Sequence, residues 1–325
     1  MTKRALRNLA RRGILALNRR MLKPLGMELV PLRGSGARAY QAAPETSGDV
    51  AAESAFAGLS ETVNPRRYDL PVWRALHDEL AGYSTDGHVF FTEAGHVYRK
   101  GWEWTHCLYG LDRLGAIQPS ARALGVGAGR EPVIFYLADR VAQVTATDLY
   151  GDATWSNNAG QEASRAILDD AQAFCPRPIR RDRIAFKVAD GTQLPFLDGA
   201  FEIVWSLSSI EHFGGHAAAA DAMREMGRVT APGGHVALAT EYLLLPEYRH
   251  PEFFNRTDVE DALIAPAREV GLHLVDTPDF DAVPRPYLID SVPLPQDQHR
   301  RRRHVVLNDG DVQWTSILLF FRKQV

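Results

Sequence analysis

The stretch Ala123-Leu-Gly-Val-Gly-Ala-Gly-Arg-Glu-Pro132, continuing through Val133 to Asp148, most constrains what this chain can fold into. Ala123 to Val126 is a short, mostly apolar run, and Gly125, Gly127 and Gly129 alternate through its end. Glycines there let backbone approach a ligand closely and take φ > 0 without steric cost. Pro132 suits the first helical position, where its missing N–H costs nothing. Beyond it Val133, Ile134, Leu137, Ala138 and Val141 fall on one helical face. Asp148 then closes a second apolar strand, about twenty residues past the glycines, where a nucleotide-binding βαβ unit keeps a carboxylate for ribose hydroxyls. Strand, glycine turn, helix and strand ending in an acid read together as a site for a nucleoside ligand.

Glycine spacing decides which nucleoside. A dinucleotide fingerprint requires G-x-G-x-x-G. Counted from Gly125 the last position is Arg130, and counted from Gly127 it is Pro132, so both frames fail. The pattern instead resembles motif I of class I S-adenosylmethionine (SAM) methyltransferases, an acid-x-G-x-G-x-G turn. Gly127 and Gly129 match its first two glycines, Gly125 stands where the acid is usual, and Glu131 stands at the last glycine. The resemblance implies an α/β fold: a doubly wound sheet of seven strands, mostly parallel with one antiparallel strand. It also implies SAM as cofactor, with Gly125, Gly127, Gly129 and Glu131 around it. The two departures bear on how the methionine end is held.

A second matching segment follows the third strand, Ile184 to Val188. Asp190-Gly-Thr-Gln-Leu-Pro-Phe196 resembles the family's acid-x-x-x-Leu-Pro-Phe. The resemblance implies that Asp190, with Gly191 beside it, accepts from the adenine amino group, a donor that a carboxylate satisfies well. It likewise places Asp148 and Leu149 at the ribose side. Phe201 to Leu207 is the fourth strand, and ligands gather outside the carboxyl ends of strands in open α/β sheets. Ser206, Ser208, Ser209, Glu211 and His212 are therefore candidates for the reacting centre. His212 suits a general base, since its reference pKa near 6.5 lets it be neutral at working pH. A surface or structural histidine is the alternative. Glu211 beside it is a candidate orienter, although adjacent residues on a strand point to opposite faces. Glu241, delivered by a fifth strand Val236 to Thr240, is a candidate partner or substitute base.

Downstream, Thr257 with Glu260 reads as a capping box opening a helix that ends at Gly271. Leu272–Val275 and Val312–Phe321 read as a last antiparallel pair. The matching motifs lie within residues 115–325, the expected SAM-binding domain, with insertions at 243–256 and 277–311. In the family, loops at those places shape acceptor specificity. The second carries Arg300 to Arg303, bidentate donors for phosphate or carboxylate or a solvated surface.

Upstream, residues 65–114 read as a helical cap. Trp73, Leu76 and Leu80 mark one amphipathic helix, and Tyr98 to Leu114 a second, which in the family covers the cofactor pocket. By that resemblance Arg99, Trp102, Glu103 and Trp104 are candidates for the lid and the methionine end; either tryptophan also suits the core. Residues 32–64, rich in Gly, Ala, Ser, Pro and Thr, read as a linker or arm. In residues 1–31, Lys3, Arg4, Arg7, Arg11, Arg12, Arg19, Arg20 and Lys23 precede the first acid, Glu28, with leucines interleaved. Such a basic amphipathic helix either lies on an anionic membrane surface or packs on protein.

Composition narrows the classes. Of 325 residues 45% are hydrophobic and 24% charged, ordinary for a globular protein. Only Cys107 and Cys175 are present, which suggests neither a disulfide framework nor a zinc cluster and fits a reducing cytoplasm. No run of eighteen apolar residues exists to span a bilayer. The basic stretches lack interleaved aromatics, so nucleic acid is a third choice of partner. The expected reaction is O-methylation of a small-molecule or glycan acceptor, at the cytoplasmic side of a membrane by analogy with enzymes that modify surface polysaccharides. The alternatives are a non-catalytic nucleoside-ligand-binding protein and a membrane-associated partner subunit.

Overall fold

Near-continuous apolar runs, buried on both faces, build the centre of the sheet. In β2 (Arg122–Val126), β3 (Gln143–Asp148), β4 (Ile184–Val188), β5 (Phe201–Leu207) and β6 (Thr230–Leu243) the strands run parallel, in the order β4-β3-β2-β5-β6. The chain moves outward one way from β2 to β4 and the other way from β5 to β6. The switch point is therefore between β2 and β5, and a crevice opens outside their carboxyl ends. β9 (Gln313–Lys323) joins β6 antiparallel, with Ala239 opposite Leu318. β7 (Leu272–Leu274) pairs antiparallel with the end of β9.

These are the seven expected strands, and among the described residues two short ones extend the sheet to nine. β8 (Leu307–Asn308) forms a hairpin with the start of β9. β1 (Glu61–Thr62) pairs with Ile317 and Leu318 of β9. That corrects the reading of 32–64 as linker throughout. Thr62 and Val63 are fully buried, and the Glu61 carboxylate receives Arg67 Nε at 2.6 Å. The polar, Ala-rich composition upstream masked a short edge strand.

The computed structural model describes residues 58–85, 90–91, 97–151, 164–289 and 304–325. The basic segment 1–31, most of the expected linker, and Arg300 to Arg303 lie outside them. Both sheet faces are covered, as a parallel sheet requires. On one face Ala123, Ile203, Ala237 and Phe320 meet Trp102, Cys107, Leu108 and Leu111 of α2 (Arg99–Arg113) and Val133, Ile134 and Leu137 of α3 (Pro132–Ala138). α1 (Pro71–Ala81) adds Trp73 and Leu80 to this layer. On the other, Leu124, Val204, Val236 and Leu319 meet Ala222, Met223 and Met226, carried on a helix over His216–Val229. Each large side chain fully buried there contributes about 1.5–3 kcal/mol of transfer free energy.

Two local expectations shift. The fifth strand, expected from Val236, begins at Thr230, and Ala231-Pro-Gly-Gly234 is a bulge within it: Phe201 faces Thr230, but Ile203 faces His235. The capping box is Asn255 with Asp258, not Thr257 with Glu260. Asn255 Oδ1 accepts from the Asp258 amide at 3.0 Å, and Asp258 accepts from the Asn255 amide at 3.1 Å. That helix begins at Arg256, passes through a π-helical turn at Glu260–Ile264, and ends before Gly271, whose φ is +74°.

Candidate functional site

The glycine turn leaves β2 through Gly127 and Gly129, at φ +64° and +49°, a left-handed backbone that glycine adopts without strain. The Ala128 amide donates to the Thr147 carbonyl at 2.9 Å, pinning the turn to β3. Asp148, at the end of β3, accepts from the Gly129 amide at 2.9 Å and the Leu149 amide at 2.7 Å. Burial raises the Asp148 carboxyl pKa, and the amides of Leu149, Gly129 and Tyr150 oppose that shift. The amides leave part of the carboxylate's acceptor capacity unused.

These residues wall a cavity of about 300 Å³. Its other walls include Asp190 and Gly191 after β4, Ser208, Ser209, His212 and Phe213 after β5, and Lys100 and Trp104 from α2. A Cβ on Gly127 would lie 2.6 Å from that of Ser209, and one on Gly191 2.4 Å from the Phe213 ring. Side chains at either position would force the loop after β5 away from the turn. Asp190 is exposed, and its Oδ1 accepts from the Thr192 amide and hydroxyl at 2.8 and 2.7 Å. Leu149, 39% exposed, presents an apolar surface beside Asp148.

Glu131 faces the same cavity from the start of α3 and accepts from Trp205 Nε1 at 3.0 Å. Burial pushes its carboxyl up to about 8, with the charge of Lys100 acting the other way. Trp104 stands at the cavity wall, and its indole N–H is buried with no hydrogen-bond partner among the described residues. Trp102 belongs to the core instead, fully buried and donating to the Asn64 carbonyl at 3.1 Å.

Six further candidate site residues stand elsewhere. Gly125 and Ser206 are within the sheet, behind the wall. Arg99, Glu211 and Glu241 join Glu103 in a buried ionic cluster beneath it. Arg99 reaches Glu103 at 3.1 Å and Glu241 at 2.6 Å. Glu103 also receives Lys100 at 3.2 Å, Ser208 Oγ at 2.8 Å, and the hydroxyl of Ser316. Burial works to raise the Glu103 carboxyl, but Lys100, Arg99 and the two hydroxyls outweigh it and hold it below its ordinary value. Glu211 accepts from Thr240 Oγ1 at 3.0 Å, and burial, then the charge of Glu241, pushes it up to about 8. Burial raises Glu241 as well, against the pull of Arg99.

Glu211 and His212 share a single 3-10 turn, Ile210–His212, which sends the glutamate inward and the imidazole to the cavity. His212 Nδ1 lies 3.5 Å from Glu252 Oε2. Glu252 belongs to the insertion at 243–256, which returns so that the Phe254 amide bonds the Glu241 carbonyl at 3.0 Å. This loop glutamate, which no motif marks, is therefore one neighbour of the imidazole. Sequence reasoning also missed Lys100 and Phe213 at the wall. Lys100 is adjacent to Arg99 in the cap stretch, and only the helix register separates the residue facing the cavity from the one facing the cluster.

Residues 124–238 match the sequence pattern described as a methyltransferase domain. This segment is a class I methyltransferase domain. Among curated relatives, the 27-O-demethylrifamycin SV methyltransferase of Amycolatopsis mediterranei (strain S699) is 30% identical over 139 residues, 42% of this chain and 44% of that protein. Methyltransferase GfsG of Streptomyces halstedii is 35% identical over 80 residues, 25% of this chain and 28% of its own. The chloroplastic tocopherol O-methyltransferase of Arabidopsis thaliana is 41% identical over 58 residues, 18% and 16% of the respective chains. The chain thus spans less than half the length of these relatives. The methyltransferase domain runs from β2 into β6 and carries Asp148, Asp190 and His212. Among the described residues no helix is long and apolar enough to cross a membrane.

Proposed function

We propose that the chain is a SAM-dependent methyltransferase that methylates a hydroxyl oxygen of a small-molecule or glycan acceptor. The observation that carries this reading is that Asp148 and Asp190, closing adjacent parallel strands, open onto one cavity with the glycine turn and His212. The residues fit the cofactor's parts. Asp148 keeps acceptor capacity toward the ribose, Asp190 toward an adenine amino group, and Leu149 offers an apolar surface for the purine. When bound, SAM supplies a methyl group on a sulfonium, an electrophile that needs an aligned nucleophile.

A hydroxyl is a weak nucleophile at neutral pH. His212 takes its proton, with the Glu252 carboxylate 3.5 Å from Nδ1 to support the charge the imidazole gains. The relatives named as O-methyltransferases support oxygen as the acceptor atom, and the glycan class rests on analogy with enzymes of surface polysaccharides. The test is transfer of labelled methyl from SAM across glycans, sugar nucleotides and small phenolics. A labelled oxygen in one class supports the reading, and absence of SAM turnover across all of them favours a nucleoside-binding protein. Residues 1–31 are proposed to hold the enzyme at an anionic membrane surface on the cytoplasmic side. Salt-sensitive sedimentation with anionic liposomes, lost on truncation of those residues, is the expected result.

A further inference from the structure

The place where the glycine turn's acid is expected is already filled. A Cβ built on Gly125 would lie 2.5 Å from Cζ2 and 2.8 Å from Cε2 of Trp205. The two residues are register partners across β2 and β5, and Trp205 is fully buried. No side chain fits at 125 while that indole is present, a carboxylate included. The same indole directs its N–H onto Glu131 Oε2 at 3.0 Å. Glu131 occupies the N-cap of α3, yet its side chain makes no capping hydrogen bond. It is spent on Trp205 and on the cavity. Ring and carboxylate have in effect exchanged positions along the turn.

The wall beside Glu131 holds an opposite charge. Lys100 lines the cavity with its ammonium 3.2 Å from Glu103 Oε2. A buried carboxyl, an ammonium and the indole N–H of Trp104, unpartnered among the described residues, form one wall. Together they complement a zwitterionic α-amino acid: an acceptor for its ammonium and two donors for its carboxylate.

We infer that Glu131, displaced there by Trp205, receives the α-ammonium of the cofactor's methionine end, with Lys100 receiving its carboxylate. This rests on the SAM reading above. Burial holds the Glu131 carboxyl near 8, so it carries its proton at neutral pH. An arriving ammonium supplies the missing counter-charge, the carboxyl ionises, and one proton passes to solvent. The sum is carboxylic acid plus ammonium giving a carboxylate–ammonium pair and one released proton.

The test compares two ligands by calorimetry. S-adenosylhomocysteine carries the amino-acid end, and 5′-methylthioadenosine keeps the adenosine and sulfur without it. Glu131→Gln preserves an acceptor for the Trp205 N–H. It is expected to weaken S-adenosylhomocysteine roughly 10- to 100-fold, the range for hydrogen bonds to charged groups, and to leave 5′-methylthioadenosine within a few fold. Retained binding of the second ligand also shows that the variant is folded. At pH 7 the enthalpy of S-adenosylhomocysteine binding to the unaltered protein should vary with buffer ionisation heat. That variation should vanish in Glu131→Gln and with 5′-methylthioadenosine. Lys100→Met should weaken the first ligand alone, and unchanged affinity removes Lys100 from the assignment. Equal affinity of Glu131→Gln for S-adenosylhomocysteine, or equal losses for both ligands, overturns the inference. If the unaltered protein binds neither ligand, the cofactor reading itself falls.

Discussion

Ser208 donates its hydroxyl to Glu103 at 2.8 Å, joining residues 105 positions apart. The contact ties the cap helix to the end of β5, where the backbone of Ser208 sits at φ +50°. A non-glycine residue in that region stores strain and persists only when its surroundings fix it. Here the fixing group is a buried carboxylate with four donors around it, and the loop that follows carries His212 to the cavity.

Glu103 is therefore expected to hold the cap on the sheet. Replacing it with alanine leaves Arg99 and Lys100 without their shared partner, and breaking a buried ion pair in this way costs about 3–5 kcal/mol. Chemical denaturation should show that loss for Glu103→Ala, with a smaller one, about 1 kcal/mol, for Ser208→Ala. A loss under 1 kcal/mol for Glu103→Ala would mean the cluster does not carry the cap.

Glu211 should make stability depend on pH. Its folded-state pKa, about 8, lies above the ordinary value of 4.5. Between those values the folded state binds more protons than the unfolded chain, so stability falls as pH rises. The contribution is complete below pH 4.5 and lost as pH passes through about 8. Glu211→Gln, which cannot ionise, should be more stable than the parent at pH 8.5, with the difference shrinking toward pH 5. Parallel stability curves for the two proteins would contradict this.

His212→Ala is expected to cut turnover at least roughly a hundredfold, the low end of general-base contributions, while SAM affinity stays within a few fold. Glu252→Gln should lower turnover less and shift the pH profile of kcat, because it leaves the imidazole in place but removes its carboxylate partner. Full turnover in His212→Ala would show that alignment alone suffices.

What could be read from the sequence follows from how local each signal is. The glycine turn, the helix behind it and the acids closing β3 and β4 are set by neighbouring residues, so spacing alone locates them. The inward turn of Glu211 is not local, because it depends on Thr240 of another strand. Gly125 is a mixed case: a Cβ there would meet the neighbouring Ala128 at 2.7 Å, and also Trp205 across the sheet at 2.5 Å. Glu252 reaches His212 through an insertion whose path no period encodes. β1 was hidden because two residues in an Ala-rich stretch become a strand only when β9 is beside them.

The most direct test of the account is SAM binding measured by calorimetry on the intact protein and on Asp148→Ala. The account predicts that SAM binds and that the variant loses about 1.5–3 kcal/mol, roughly 10- to 150-fold in Kd, as two hydroxyls lose their charged acceptor. Unchanged SAM affinity in Asp148→Ala, or tighter binding of NADH than of SAM, would contradict it.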